Sequence, residues 1–177
     1  MPIFSHRFTD PVRDYFKKKS APKPQPLVIH DALGTFTMKS PGRIDSFEGE
    51  VTLLGKSITV FLETDGEGKT TANAALQNLH TFAANAADWD ARIKAFAADD
   101  FAEADGTIET WGGCESDSEG ETLTKEVFMR RIEMNFIQFF SDGSIFLDYD
   151  LDDMYTDHGL AVHASITGTI NSCALWG

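Results

Sequence analysis

The hydrophobic period of this chain changes twice, and those two changes restrict its fold more than any other feature. Over residues 35–62 apolar side chains fall at every second position, the period of a half-buried strand. Over residues 71–101 they fall three or four apart, the period of an amphipathic helix. Over residues 135–170 the period returns to two. Strands that bracket helices predict an α+β fold, an antiparallel β-sheet with two to three helices packed on one face.

Local signals place the elements. Thr35 to Lys39 alternates, and Ser40-Pro41-Gly42 then breaks the strand. Phe47, Gly49, Val51 and Leu53 share a face, Leu54-Gly55-Lys56 supplies a turn, and Ile58, Val60 and Leu62 share the face that follows. Leu76, Leu79, Phe82 and Ala86 form the stripe of a first helix, which ends before Asp88, the expected N-cap of a second carrying Trp89, Ile93 and Phe96. Thr124 is positioned to cap a short helix running to Ile132. Asp142-Gly143 between apolar runs predicts a hairpin, with a last strand over residues 159–170.

Charge divides the chain differently. It holds 15 Lys and Arg against 28 Asp and Glu, a net of −13. Residues 1–26 run the other way at +4, with Lys17, Lys18 and Lys19 leading into alternating prolines. That composition predicts a basic N-terminal arm and linker, followed by a single acidic domain over residues 27–177 carrying −17. So acidic a body repels nucleic acid and anionic lipid, and no run approaches the ~18 apolar residues of a membrane helix. With no apolar leader at its start, the expected compartment is the cytoplasm.

Catalytic and cofactor patterns fail residue by residue. Gly68-Lys69-Thr70 imitates a phosphate-binding loop, but the glycine required five positions earlier is Glu63. Asp148, Asp150 and Asp152 begin like an EF-hand, yet Asp153 and Gly159 stand at its sixth and twelfth places. His158 and His163 are five apart and face opposite ways on a strand. Asp157 and His158, as sequence neighbours on a strand, are likewise expected to point apart. Cys114 lies among carboxylates, which blunt a thiol's nucleophilicity. The expectation is therefore no catalytic set, no metal site and no cofactor.

Two carboxylate clusters remain: Glu115, Asp117, Glu119 and Glu121, and Asp148, Asp150, Asp152, Asp153 and Asp157. Acidic patches accelerate encounter with a basic partner, and nearby aromatic residues anchor it. Tyr149, Tyr155 and Trp111 are the expected anchors.

The motifs also resemble one family. Asp31, Leu33, Gly34 and Phe36, then Phe47-Glu48-Gly49 with Val51 and a Gly55-Lys56 turn, are similar to the bacterial domain-of-unknown-function family numbered 2262. Trp89-Asp90 with Arg92-Ile93, the hairpin at Asp142-Gly143-Ser144, and His158 entering a last strand extend the resemblance over about residues 31–170. The family often has a glycine before that histidine, where this chain has Asp157. The resemblance implies a fold sooner than an activity, and small acidic proteins of this type resemble immunity proteins. The expected function is a non-catalytic, immunity-type protein that neutralises a cognate basic toxin domain. The rival readings are a small metal-dependent hydrolase using His158 with Asp148, Asp150 or Asp157, and a structural module.

Overall fold

A computed structural model describes residues 26–39, 45–110, 123–155 and 157–177. Its elements run β1 (Val28–His30), β2 (Thr35–Lys39), β3 (Ser46–Leu53), β4 (Lys56–Glu63), α1 (Asn73–Ala83), α2 (Ala86–Phe101), α3 (Lys125–Arg131), β5 (Glu133–Phe139), β6 (Ser144–Asp150), β7 (Gly159–Ser165) and β8 (Ile170–Trp176). The expected arm and its linker up to Gln25, the break at Ser40-Pro41-Gly42 and the loop over 112–121 lie outside the described residues.

The eight strands form one sheet in sequence order, a larger sheet than the period changes alone suggested. Six of its seven pairings are antiparallel between neighbours, as expected, but β4 and β5 pair in parallel, with Val60 opposite Ile137. The exception has a simple cause. The chain leaves β4, passes through all three helices, and re-enters the sheet beside β4 in the same direction, the geometry of a crossover connection.

Register divides the sheet into two faces. Phe47, Val51, Ile58, Val60, Leu62, Ile137, Phe139, Leu147 and Val162 are buried on one of them, beneath the helices. Phe82 of α1 meets Phe139 of β5 there, and Tyr149 of β6 reaches Asp90 of α2. The opposite face carries no helix among the described residues. At the β3–β4 turn, Leu54 and Gly55 both take positive φ, the pair of conformations that a two-residue hairpin requires.

The helix starts differ from expectation. Asp88 lies inside the first turn of α2, and Asn85 stands at its N-cap. Thr124 does cap α3, its hydroxyl accepting from the amide of Val127 at 3.4 Å. The start of α1 is held from a distance by Asp65, which accepts from the amides of Asn73 and Ala74, each at 3.0 Å. Those bonds, the Ala74 amide first and then Thr71 and Asn73, hold the Asp65 carboxyl below its usual value. A depressed folded-state pKa contributes stability above the unfolded value near 4, lost as pH falls through the folded value. Asp65→Ala is therefore expected to lower stability by about 1 kcal/mol at pH 7. Urea unfolding at pH 7 and at pH 2.5 checks this, because the difference between variant and parent should shrink at the lower pH.

Candidate functional site

The second half of the sheet builds a cavity at one end of the uncovered face. Pairing between β5 and β6 shifts between Met134 and Phe136, so Asn135 is the inserted residue of a bulge. Its amide Nδ2 donates to Asp148 Oδ2 at 2.7 Å. From the other side, the indole Nε1 of Trp176, on edge strand β8, donates to Asp148 Oδ1 at 2.7 Å. Between them stands Gly159, where a Cβ would lie 2.8 Å from Asp148 Oδ1 and 3.1 Å from the indole nitrogen. Only a glycine permits this approach of carboxylate, indole and β7 backbone.

Asp148 is thus a carboxylate only 5% exposed, held by two neutral donors. Asp150, Asp153, Asp157 and His158 stand around it, and the open cavity they line measures about 370 Å³. The acidic corner is shaped by Asp152 and Asp153, both in the left-handed region at φ 49° and 59°. Asp150 accepts the Asp152 amide at 2.7 Å and steadies this turn. The Asp152 carboxylate itself faces away from the cavity, taking Arg131 Nε at 2.7 Å.

A row of rings continues from the cavity along the same face. Phe61 of β4 meets Phe136 of β5 edge-on at 5.7 Å, and Phe136 meets Phe146 of β6 at 5.7 Å. Phe146 in turn meets Trp176 at 6.0 Å and His163 of β7 at 5.1 Å. The rings shield one another on an otherwise uncovered face, and Trp176 remains 47% exposed.

Of the expected partner-binding residues, Asp150, Asp152 and Asp153 are exposed at one corner. Glu115, Asp117, Glu119, Glu121 and Trp111 lie outside the described residues, as does Cys114. Three expectations of exposure are corrected. Asp148 is buried because its strand position faces Trp176 and Asn135. Tyr149 is fully buried on the helix-bearing face, where its hydroxyl donates to Asp90 at 3.1 Å. Tyr155 is buried and donates to the Glu109 carbonyl at 2.8 Å. Burial, with the Asp90 charge, holds the Tyr149 hydroxyl well above its usual value, and burial raises that of Tyr155 to about 12. Both rings are core, not anchors.

Catalytic alternatives meet equally specific geometry. Asp157 and His158, expected to point apart, approach to 3.4 Å because they precede β7 instead of lying in it. His163 stands on the uncovered face against Phe146. Among the described residues no three His, Cys, Asp or Glu side chains are grouped to hold a metal ion. Cys173 is pushed up to about 12 by burial and by its contact with Asp100, which leaves it a poor nucleophile. The phosphate-loop imitation fails a second time, because Asp65 fills the helix N-terminus where a phosphate would bind.

The aromatic row was missed by the sequence reading. Phe61, Phe136 and Phe146 occupy the strand positions between the core residues, where a half-exposed sheet usually carries polar side chains. That misplacement of large rings is the signal that could have revealed it.

Comparison with known proteins supplies one match. A family model, described as an uncharacterised protein conserved in bacteria (DUF2262), covers residues 30–175. No curated protein and no solved structure matches the chain. Among the described residues no helix is long and apolar enough to cross a membrane.

Proposed function

The chain belongs to this family of uncharacterised bacterial proteins, DUF2262, and we propose that it is a non-catalytic binding protein of the immunity type. It acts in the cytoplasm and neutralises a basic toxin domain by presenting an acidic surface. The observation that carries this reading is the exposed corner of Asp150, Asp153 and Asp157, gathered beside a cavity on a chain of net charge −13. Exposed like charges held together by a turn cost self-repulsion, and an approaching basic surface relieves it. The buried carboxylate that a hydrolase would need is engaged by Asn135 and Trp176 instead of by a histidine.

Two measurements test the reading in sequence. Co-expression with the protein encoded beside it, followed by affinity capture, should recover a basic domain whose expression alone is toxic. A neighbour that is not captured, or is not toxic, would count against immunity. With the partner in hand, reversing Asp150, Asp153 and Asp157 to lysine should slow association by tenfold or more at low salt, with a modest loss of stability from the Asp150 bond to the Asp152 amide. Asp152 is excluded from the set, because its loss would also release Arg131. Raising salt should slow the parent steeply, since exposed charges act over about 10 Å at 0.1 M ionic strength. Association indifferent to both changes would overturn the acidic-corner reading.

A further inference from the structure

The uncovered sheet face and its cavity suit one kind of group better than any other. A planar cation can stack on an aromatic ring with its face while its edge donates to a carboxylate, and guanidinium does both. Trp176 offers a half-exposed indole, and the row of Phe146, Phe136 and Phe61 extends the aromatic surface away from it. Asp148 supplies the carboxylate at the inner end. Its two donors are neutral, and among the described residues no lysine or arginine pairs with it, so the buried carboxyl has no cationic partner there. Carboxylate oxygens each accept more than one hydrogen bond, so both retain capacity. Asp150, Asp153 and Asp157 at the rim add charge complementarity. A space of about 370 Å³ is ample for one arginine side chain.

We propose that this face docks an arginine-bearing segment of a basic protein partner, with one guanidinium stacked on the exposed face of the Trp176 ring and its edge turned to the Asp148 carboxylate from the cavity side. The proposal rests on the binding reading above and names the chemistry of the partner. The rings replace Tyr149 and Tyr155 as anchors, and the carboxylates set the approach.

Peptides of nine arginines and of nine lysines, equal in charge, separate the two levels of the argument. Titrated into the full-length protein at 0.15 M salt, the arginine peptide should bind at least fivefold tighter, with the indole Nε1–H signal of Trp176 shifting in the nitrogen-edited NMR spectrum. Trp176→Gln, which keeps a donor for Asp148 and removes the ring, should erase the arginine preference. Phe146→Thr should reduce it while sparing the Asp148 contact. Asp148→Asn should weaken the arginine peptide about tenfold at temperatures where the variant remains folded, and its melting temperature should fall modestly, because its amide NH2 meets a donor where a carboxylate oxygen accepted one. Equal binding of the two peptides, reduced together by reversal of Asp150, Asp153 and Asp157, would overturn this inference and leave the acidic reading standing. No binding of either peptide would overturn both. An arginine preference that survives Trp176→Gln and Phe146→Thr would place the segment elsewhere. Concentration-dependent self-association through this face would assign it to a second copy of the chain and overturn the proposal.

Discussion

Replacing Phe82 with alanine is expected to destabilise the fold by about 4 kcal/mol, the usual range for truncating a fully buried phenylalanine. Phe82 lies at the meeting point of three elements. Its ring stacks on Trp89 of α2 at 5.4 Å and abuts Phe139 of β5 edge-on at 5.6 Å, with no exposed surface. Removing it leaves a cavity between helix and sheet that α1 alone cannot close, because Leu79 and Ala75 are already packed. For a chain of this size the melting temperature should fall by roughly 12 °C. Phe96, half-buried on α2, is the control, and its alanine variant should change stability by less than about 1.5 kcal/mol. Urea unfolding of both variants checks the pair. Similar values would mean that α1 is not anchored through Phe82.

That anchoring was legible in the sequence because helix and strand periods are local properties. Leu79, Phe82, Trp89 and Ile93 were placed on the buried stripe by spacing alone, and all four are in the core. The alternation in β3 and β4 likewise picked out Phe47, Val51, Ile58, Val60 and Leu62. What failed had no local signature. β1 is three residues long, and β8 is an edge strand whose burial alternates weakly, so neither shows a clear period. The parallel pairing of β4 with β5 depends on where three helices return the chain, which no period records. Asp65 caps a helix that starts eight residues later, beyond any rule that looks only at the helix's own first turn.

The candidate site was legible in part for the same reason. Asp150, Asp152 and Asp153 are neighbours in sequence, so their grouping could be read directly. Asp148 lines the same cavity as Asp150 and Asp153 but is buried at its inner end, because the strand turns it toward β5 and β8. Tyr149, one residue further, faces the helices by the alternation that an extended strand imposes. Trp176 enters the site only through the pairing of β7 with β8, with Gly159 opposite it, across a separation that composition cannot reveal.

Gly49→Ala is the second large loss expected, about 3 kcal/mol, and it accounts physically for the motifs that carry the family resemblance. Gly49 lies on the core face of β3 between Phe47 and Val51, yet it leaves its space to β2. A Cβ there would stand 2.5 Å from the Thr35 carbonyl oxygen and 2.7 Å from the Phe36 ring. The first of these atoms is backbone in a strand, so relief requires moving β2 and not a side-chain rotation. Overpacking of this type typically destabilises by 1–3 kcal/mol, and the backbone collision argues for the upper end. Phe36, which fills the space above the glycine, follows a turn closed by reciprocal bonds between Asp31 and Gly34. The Asp31 carboxylate accepts the Leu33 amide at 2.9 Å and meets His80 of α1 at 3.1 Å. The two motifs, Asp31 to Phe36 and Phe47 to Val51, are therefore one packed unit that ties the first hairpin to the first helix. None of its residues lines the cavity at Asp148, at the other end of the strand order. Gly49→Ala should accordingly lower the urea midpoint while the folded fraction keeps its affinity for the arginine peptide. A loss of that affinity at temperatures where the variant remains folded would show that the unit does more than hold the sheet together.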